Sequence, residues 1–113
     1  MTEKGKKYLS DILMAIDLIE QFTSDISGFS SYESDLKTQS AVERQLVIIG
    51  EALNMFKKSD ADIAIKNNVQ IIGFRNRLVH AYDSIDNSIV WVILKRHIPL
   101  LKDEIESIYK NPA

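Results

Sequence analysis

The 113-residue sequence contains no cysteine. That excludes disulfides, iron–sulfur clusters and thiolate zinc sites, and it accords with a reducing cytoplasm. Histidine is scarce: His80 and His97 are the only two. Without cysteine or an HExxH pair, a protein-held metal is not expected, and nothing calls for another cofactor. The four glycines stand singly, so there is no Gly-rich loop to cradle phosphates. No window approaches the ~18 uninterrupted apolar residues of a membrane span. The opening Met1-Thr2-Glu3-Lys4-Gly5-Lys6-Lys7 looks like a signal n-region, but Asp11, Asp17 and Glu20 leave no apolar signal core behind it. No segment alternates apolar and polar residues over strand length, and there is no internal repeat or low-complexity tract. Acidic residues are missing from Ile63 to Tyr82, a stretch that holds Lys66, Arg75 and Arg77. They are missing again from Asn87 to Lys102, which adds Lys95, Arg96 and Lys102, with only Asp83 and Asp86 between the two windows. The whole chain is net −2. Its positive charge is therefore concentrated, which suits a local phosphate site better than a general nucleic-acid grip.

What is present is helical pattern. The composition, 45% hydrophobic and 27% charged, is that of an ordinary globular protein, and the length suits one domain over residues 1–113 with its own core. A first helix is predicted from about Glu3 to Phe22, with Tyr8, Ile12, Ala15, Ile19 and Phe22 as its apolar stripe. Residues 24–37 read as a loop with one short turn around Phe29 and Tyr32. A second helix is predicted from about Gln39 to Lys58, its main stripe being Val42, Leu46, Ile49, Leu53 and Phe56. Ile48, Ala52 and Met55 widen its apolar arc, which fits either a deeply buried central helix or a partner surface. Gly50 inside that helix costs up to ~1 kcal/mol against alanine, and a close helix–helix approach would compensate. Ser59 to Asp62 offer caps for a short turn up to Lys66. A third main helix spans about Val69 to Ala81, with a terminator in residues 82–87. A fourth runs from about Ser88 to Lys110, with Trp91, Leu94, Ile98, Leu101, Ile105 and Ile108 inward and a bend expected at Pro99. The fold class is all-α, an antiparallel bundle of four to five helices.

The densest chemistry lies in Arg75-Asn76-Arg77-Leu78-Val79-His80-Ala81-Tyr82. On a 100°-per-residue wheel Ile71, Phe74, Leu78 and Tyr82 share one side, and Arg75 falls inside that arc. A buried guanidinium needs a carboxylate or a protein–protein crevice, and Glu51 and Glu43 are the candidate partners. His80 falls on the polar side with Gly73, Asn76 and Arg77, roughly 140° from Arg75. One regular helix therefore does not bring the two together. Either the helix ends near His80, or a two-fold dimer sets one motif against the other. Trp91 reads as core rather than as a stacking platform, and no serine triad can be built from these spacings.

Arg75 through Tyr82 reads R-x-x-x-x-H-x-Y, which resembles the signature of HepT-like toxins in the HEPN superfamily of small all-α ribonucleases. Ala41-Val42-Glu43-Arg44-Gln45-Leu46 followed by Ile49-Gly50-Glu51-Ala52-Leu53-Asn54 resembles that family's other recurrent segment, and Ile72-Gly73-Phe74-Arg75-Asn76 its usual lead-in. The likeness spans nearly the whole chain. It implies a HEPN-like bundle that forms a homodimer with both motifs at a shared cleft, and metal-independent endoribonuclease activity on RNA, with transfer RNA as a candidate substrate. It implies Arg75 and His80 as catalytic residues, with Asn76, Arg77 and Glu51 in support. Tyr82 matches the tyrosine that an MntA-type nucleotidyltransferase antitoxin adenylylates to silence the toxin. The chemistry is physically coherent. RNA supplies its own nucleophile in the 2′-hydroxyl, an imidazole can move the proton, and a guanidinium can stabilise the charge gained at phosphorus. Two rival expectations remain: a non-catalytic nucleotide- or substrate-binding subunit of a split nucleotidyltransferase, and a plain dimerising helical adaptor.

Overall fold

The computed structural model describes residues 1–80 and 85–111. Every regular element among them is helical. In order they are α1 (Glu3–Phe22), α2 (Phe29–Glu33), α3 (Leu36–Ser59), α4 (Val69–His80), α5 (Asn87–Val92), a π-helical turn (Ile93–His97) and α6 (Ile98–Lys110). The all-α bundle expected from the periodicity is the observed architecture.

Helices α1 and α3 form the central pair. Leu9, Ile12, Ile16 and Ile19 of α1 meet Val42, Leu46, Ile49, Leu53 and Phe56 of α3, all of them buried. Removing each such side chain from water contributes about 1.5–3 kcal/mol, the largest favourable contribution to this fold. The stripe on α3 is the one predicted. On α1 the buried face is rotated: Leu9 and Ile16 lie inside, while Tyr8 is partly exposed and Phe22 is exposed. Helix α4 lies on α3, α6 lies on α1, and α2 sits across α3 and α5.

Local signals explain where the helices start. Thr2 caps α1 by accepting from Gly5 N at 2.9 Å. Asp35 caps α3, taking Thr38 N at 3.0 Å and Thr38 Oγ1 at 2.6 Å. That cap starts α3 at Leu36, three residues before the predicted Gln39, and the predicted short turn is the helix α2. Asp60 ends α3 and is buried. Its carboxylate accepts from Thr2 N, Thr2 Oγ1 and Ser59 Oγ, each at 2.8 Å, which ties the first turn of α1 to the last turn of α3. A β-carbon at Gly5 would collide with that carboxylate, so this junction needs the glycine.

The last helical run shows how Pro99 is absorbed. Proline has no N–H and its ring clashes with the carbonyl four residues back. The chain widens to a π turn over Ile93–His97, and Ile98 N bonds back to Ile93 O, five residues away. The bend expected at Pro99 is thus realised as a π turn just before it. The turn shifts the phase of the buried face. Val90 and Ile93 join the core, whereas Trp91 and Ile108 are only partly buried. Trp91 packs on Tyr32 and Phe29 with ring centroids 5.5 and 6.4 Å away, and Lys95 Nζ lies 4.7 Å over its ring.

Among the described residues, no helix is long and apolar enough to cross a membrane.

Candidate active site

Helix α4 presents two faces. Ile71, Phe74 and Leu78 are buried toward the bundle. Gly73, Asn76, Arg77 and His80 are exposed on the other side. Arg75 sits at the border, with its side chain 23% exposed and its stem against Gly50 of α3.

The Arg75 guanidinium is held from two sides. Nη2 donates to Glu51 Oε1 at 3.1 Å, and Nη1 donates to Asn76 Oδ1 at 2.9 Å. Of the two predicted carboxylate partners, Glu51 is the one used. Glu43 lies elsewhere on α3, beside Tyr32, and has no ion-pair partner among the described residues. Burial pushes the Glu43 carboxyl above its ordinary range. Burial, and then the Glu43 charge, push the Tyr32 hydroxyl up as well.

Arg75 Nε is buried and has no acceptor among the described residues. An unpaired buried donor costs about 1–3 kcal/mol, so this guanidinium is not arranged for stability alone. It is restrained at both terminal nitrogens while its buried Nε has no partner among the described residues.

His80 and Arg77 point away from this seat. Helix α4 is regular through His80, so the five-residue spacing leaves Arg75 and His80 on different faces. The described residues of one chain do not bring the two functional groups of the motif together. Ala81 and Tyr82, with the proposed terminator at Asp83 and Ser84, lie outside the described residues. The chain is described again from Ile85, and Asp86 caps α5 by accepting from Ser88 N at 2.9 Å and Ser88 Oγ at 2.6 Å. Asn87 donates to Gln39 Oε1 at 3.3 Å, and Gln39 Nε2 donates to the Tyr32 and Glu33 carbonyls at 2.9 Å each. The segment after the motif is thereby fastened to α2 and α3.

The start of α4 is fastened too, by a residue the sequence reading missed. Glu104 on α6 accepts from Lys66 N at 2.7 Å, Asn67 N at 3.0 Å and Asn67 Nδ2 at 2.9 Å. No periodic pattern links positions 38 residues apart, and the only signal was an acid-free segment waiting for an anion. Glu51 and Glu104 also show that the acid-free window is acid-free in sequence and not in space. In the second window Lys102 is paired with Glu20 at 3.1 Å, which raises its pKa, and Lys95 lies over Trp91. Among the described residues, no three His, Asp or Glu side chains gather where they could hold a metal ion.

Beside Glu51, the residues Tyr8, Asp11, Ile48, Ala52 and Met55 line a shallow groove of about 200 Å³. Met55 is 43% exposed, but Ala52 is only 7% exposed, so the core of the single chain already uses most of Ala52.

The bundle, the exposed His80 face and the seated arginine define an all-α protein of the HEPN type. Residues 12–108 match the family model described as "Ribonuclease HepT-like", and the chain belongs to that family of ribonucleases. It is 40% identical to a protein of Thermococcus cleftensis named "Probable ribonuclease HepT", across 97% of this chain and 100% of that one. It is also 34% identical to "Putative RNase MJ1380" of Methanocaldococcus jannaschii, across 91% of this chain and 94% of the relative. A second M. jannaschii protein, "Putative RNase MJ0125", is 36% identical over 94% of this chain and 91% of its own length. No solved structure matches the chain significantly.

Proposed function

We propose that this chain is a metal-independent endoribonuclease, the toxin of a toxin–antitoxin pair in the cytoplasm, and that it works as a homodimer. The observation that carries this reading is the seat of Arg75. A guanidinium stands at the edge of the core with its two terminal nitrogens restrained and Nε without a partner among the described residues, inside a motif whose His80 lies on the exposed face. That is a phosphate-binding group and a proton-transfer group in one motif.

The step is a transesterification. The ribose 2′-oxygen attacks the adjacent phosphorus and gives up its proton. The P–O bond to the 5′-oxygen breaks, and that oxygen takes a proton. The products are a 2′,3′-cyclic phosphate end and a 5′-hydroxyl end. His80 moves a proton, as base in its neutral form or as acid in its charged form. Arg75 stabilises the negative charge gained by the equatorial oxygens of the transition state. Arg77 and Asn76 support RNA on the exposed face, and Glu51 orients Arg75.

The divergence of Arg75 and His80 on α4 supports a dimer in which each site takes Arg75 from one copy and His80 from the other. The groove at Ile48 and Met55, contiguous with Glu51, is apolar surface for such a contact. Mixing two inactive chains tests this reading. Arg75→Ala and His80→Ala copies, refolded together, should regain activity, because one of the two composite sites in the mixed dimer is intact. No recovery in a demonstrated mixed dimer would place both groups in one chain or remove them from catalysis. RNA that is bound but never cleaved by the parent would favour a binding subunit of a split nucleotidyltransferase.

Regulation would act on Tyr82. An adenylyl group there, added by an MntA-type nucleotidyltransferase antitoxin, brings a phosphodiester charge and a bulky base into the motif. It competes with RNA phosphate for the cations and blocks the cleft.

A further inference from the structure

Gly50 lies in the interior of α3, where glycine is less favourable than any residue but proline. The structure accounts for it. A β-carbon built at Gly50 stands 2.5 Å from Arg75 Cβ, 2.7 Å from Arg75 Cγ and 3.6 Å from Arg75 Cδ. The first two distances are far inside the ~3.5–4.0 Å at which carbon atoms pack. The colliding atoms are the root of the side chain, fixed to the α4 backbone, rather than a free end that swings aside. A methyl group at position 50 must therefore push α4 away from α3 or force Arg75 off its rotamer. Gly73, also inside a helix, has nothing within 4 Å of a β-carbon, so the close approach is particular to Gly50.

The neighbouring residue completes the arrangement. Glu51 takes Arg75 Nη2 at 3.1 Å. Gly50 and Glu51 together form a seat in two parts: a gap that admits the stem and a carboxylate that stops the head.

We propose that Gly50 is a positioning residue for Arg75: the missing side chain sets where the guanidinium meets the scissile phosphate. This inference rests on the reading of Arg75 as the group that stabilises the transition state. A displacement of about 1 Å in such a group is enough to cost ~100-fold in rate.

The test is Gly50→Ala in the full chain, compared with Ile105→Val, a buried change on α6 that lowers stability without touching α4. With bulk transfer RNA as the probe, Gly50→Ala should cut turnover at saturating RNA by about tenfold or more. Its RNA dissociation constant should stay within about threefold of the parent, since Arg77 keeps its charge on the exposed face of α4 and the other cations are retained. The Arg75 Nε–H resonance of the free protein should shift. Ile105→Val should leave turnover and that resonance unchanged. A melting-temperature cycle guards against a variant that simply folds poorly. Adding Gly50→Ala to the parent should lower the melting temperature. Adding it to Arg75→Gly, which removes the colliding atoms, should raise it, because alanine is then free to express its helix propensity. Parent-like turnover with an unmoved resonance in Gly50→Ala would overturn the proposal, and so would a melting cycle with the same sign in both backgrounds. Failure of the underlying reading shows differently: Arg75→Ala would then cleave as the parent does, while the resonance and the melting cycle still report whether Gly50 places Arg75.

Discussion

Among the described residues, Glu51 and Arg75 form the one ion pair that joins α3 to α4, at 3.1 Å, with the arginine side chain 23% and the glutamate side chain 55% exposed. A pair this accessible contributes little stability, on the order of 1 kcal/mol or less after screening. Its value is geometric, because it fixes the head of a side chain whose stem is already confined.

Replacing Glu51 separates those two contributions. Glu51→Gln keeps an oxygen where Nη2 donates and should retain most RNA cleavage. Glu51→Ala removes the acceptor and should lower turnover by about tenfold, while shifting stability by about 1 kcal/mol or less. Thermal melts beside cleavage rates check this. Equal loss in both variants would mean that the charge, rather than the position of the acceptor, is what matters.

Tyr82 tests the regulatory half of the proposal. Co-expression with an MntA-type nucleotidyltransferase should add mass in steps of about 329 Da, one adenylyl unit each, mapped to Tyr82. Tyr82→Phe should cleave RNA and resist neutralisation. Added mass on Tyr8, Tyr32 or Tyr109 instead, or equal neutralisation of Tyr82→Phe, would remove this role from Tyr82.

Glu43 gives a pH-dependent prediction with a definite sign. Burial raises its folded-state pKa above the ordinary 4.5, so its charged form is disfavoured in the native protein. Its ionisation therefore costs stability at neutral pH, and the cost disappears as pH falls and the group is protonated in both states. Glu43→Gln should raise the melting temperature at pH 7 by a few degrees and have little effect near pH 3. Melting curves of the pair across that range decide it. Asp35, Asp60 and Asp86 behave oppositely, since hydrogen bonds from Thr38, Thr2 and Ser88 hold their pKa values below the ordinary 3.8. Their contributions are present at neutral pH and are lost as acid protonates them.

Much of this architecture could be read from residue spacing, and the exceptions have physical causes. The stripe Val42-Leu46-Ile49-Leu53-Phe56 is strictly periodic and is the buried face of α3. The start of α3 was placed late because its signal is a single capping carboxylate, Asp35, in front of a polar first turn. On the last helical run Leu94, Ile98, Leu101 and Ile105 are buried as read, but Trp91 is only partly buried and Val90 and Ile93 join the core, because a π turn changes the phase between the two halves. At the site, an arginine inside an apolar arc demanded a carboxylate, and Glu51 supplies it. The rival Glu43 could not be set aside from sequence, since both lie on the same helix and only the packing distinguishes them. Glu104 is invisible for a different reason: two of its three partners are backbone amides, at Lys66 and Asn67, which carry no side-chain signature.

The central claim is that His80 moves the proton without help from a metal, and one assay addresses it directly. Purified parent chain and His80→Ala are incubated with RNA in excess EDTA, and the new ends are identified by mass. The parent should cleave, leaving 2′,3′-cyclic phosphate and 5′-hydroxyl ends. His80→Ala should fold normally, because His80 is exposed, and lose cleavage by at least about 100-fold. An absolute requirement for divalent metal, or parent-like cleavage by His80→Ala, would contradict the account.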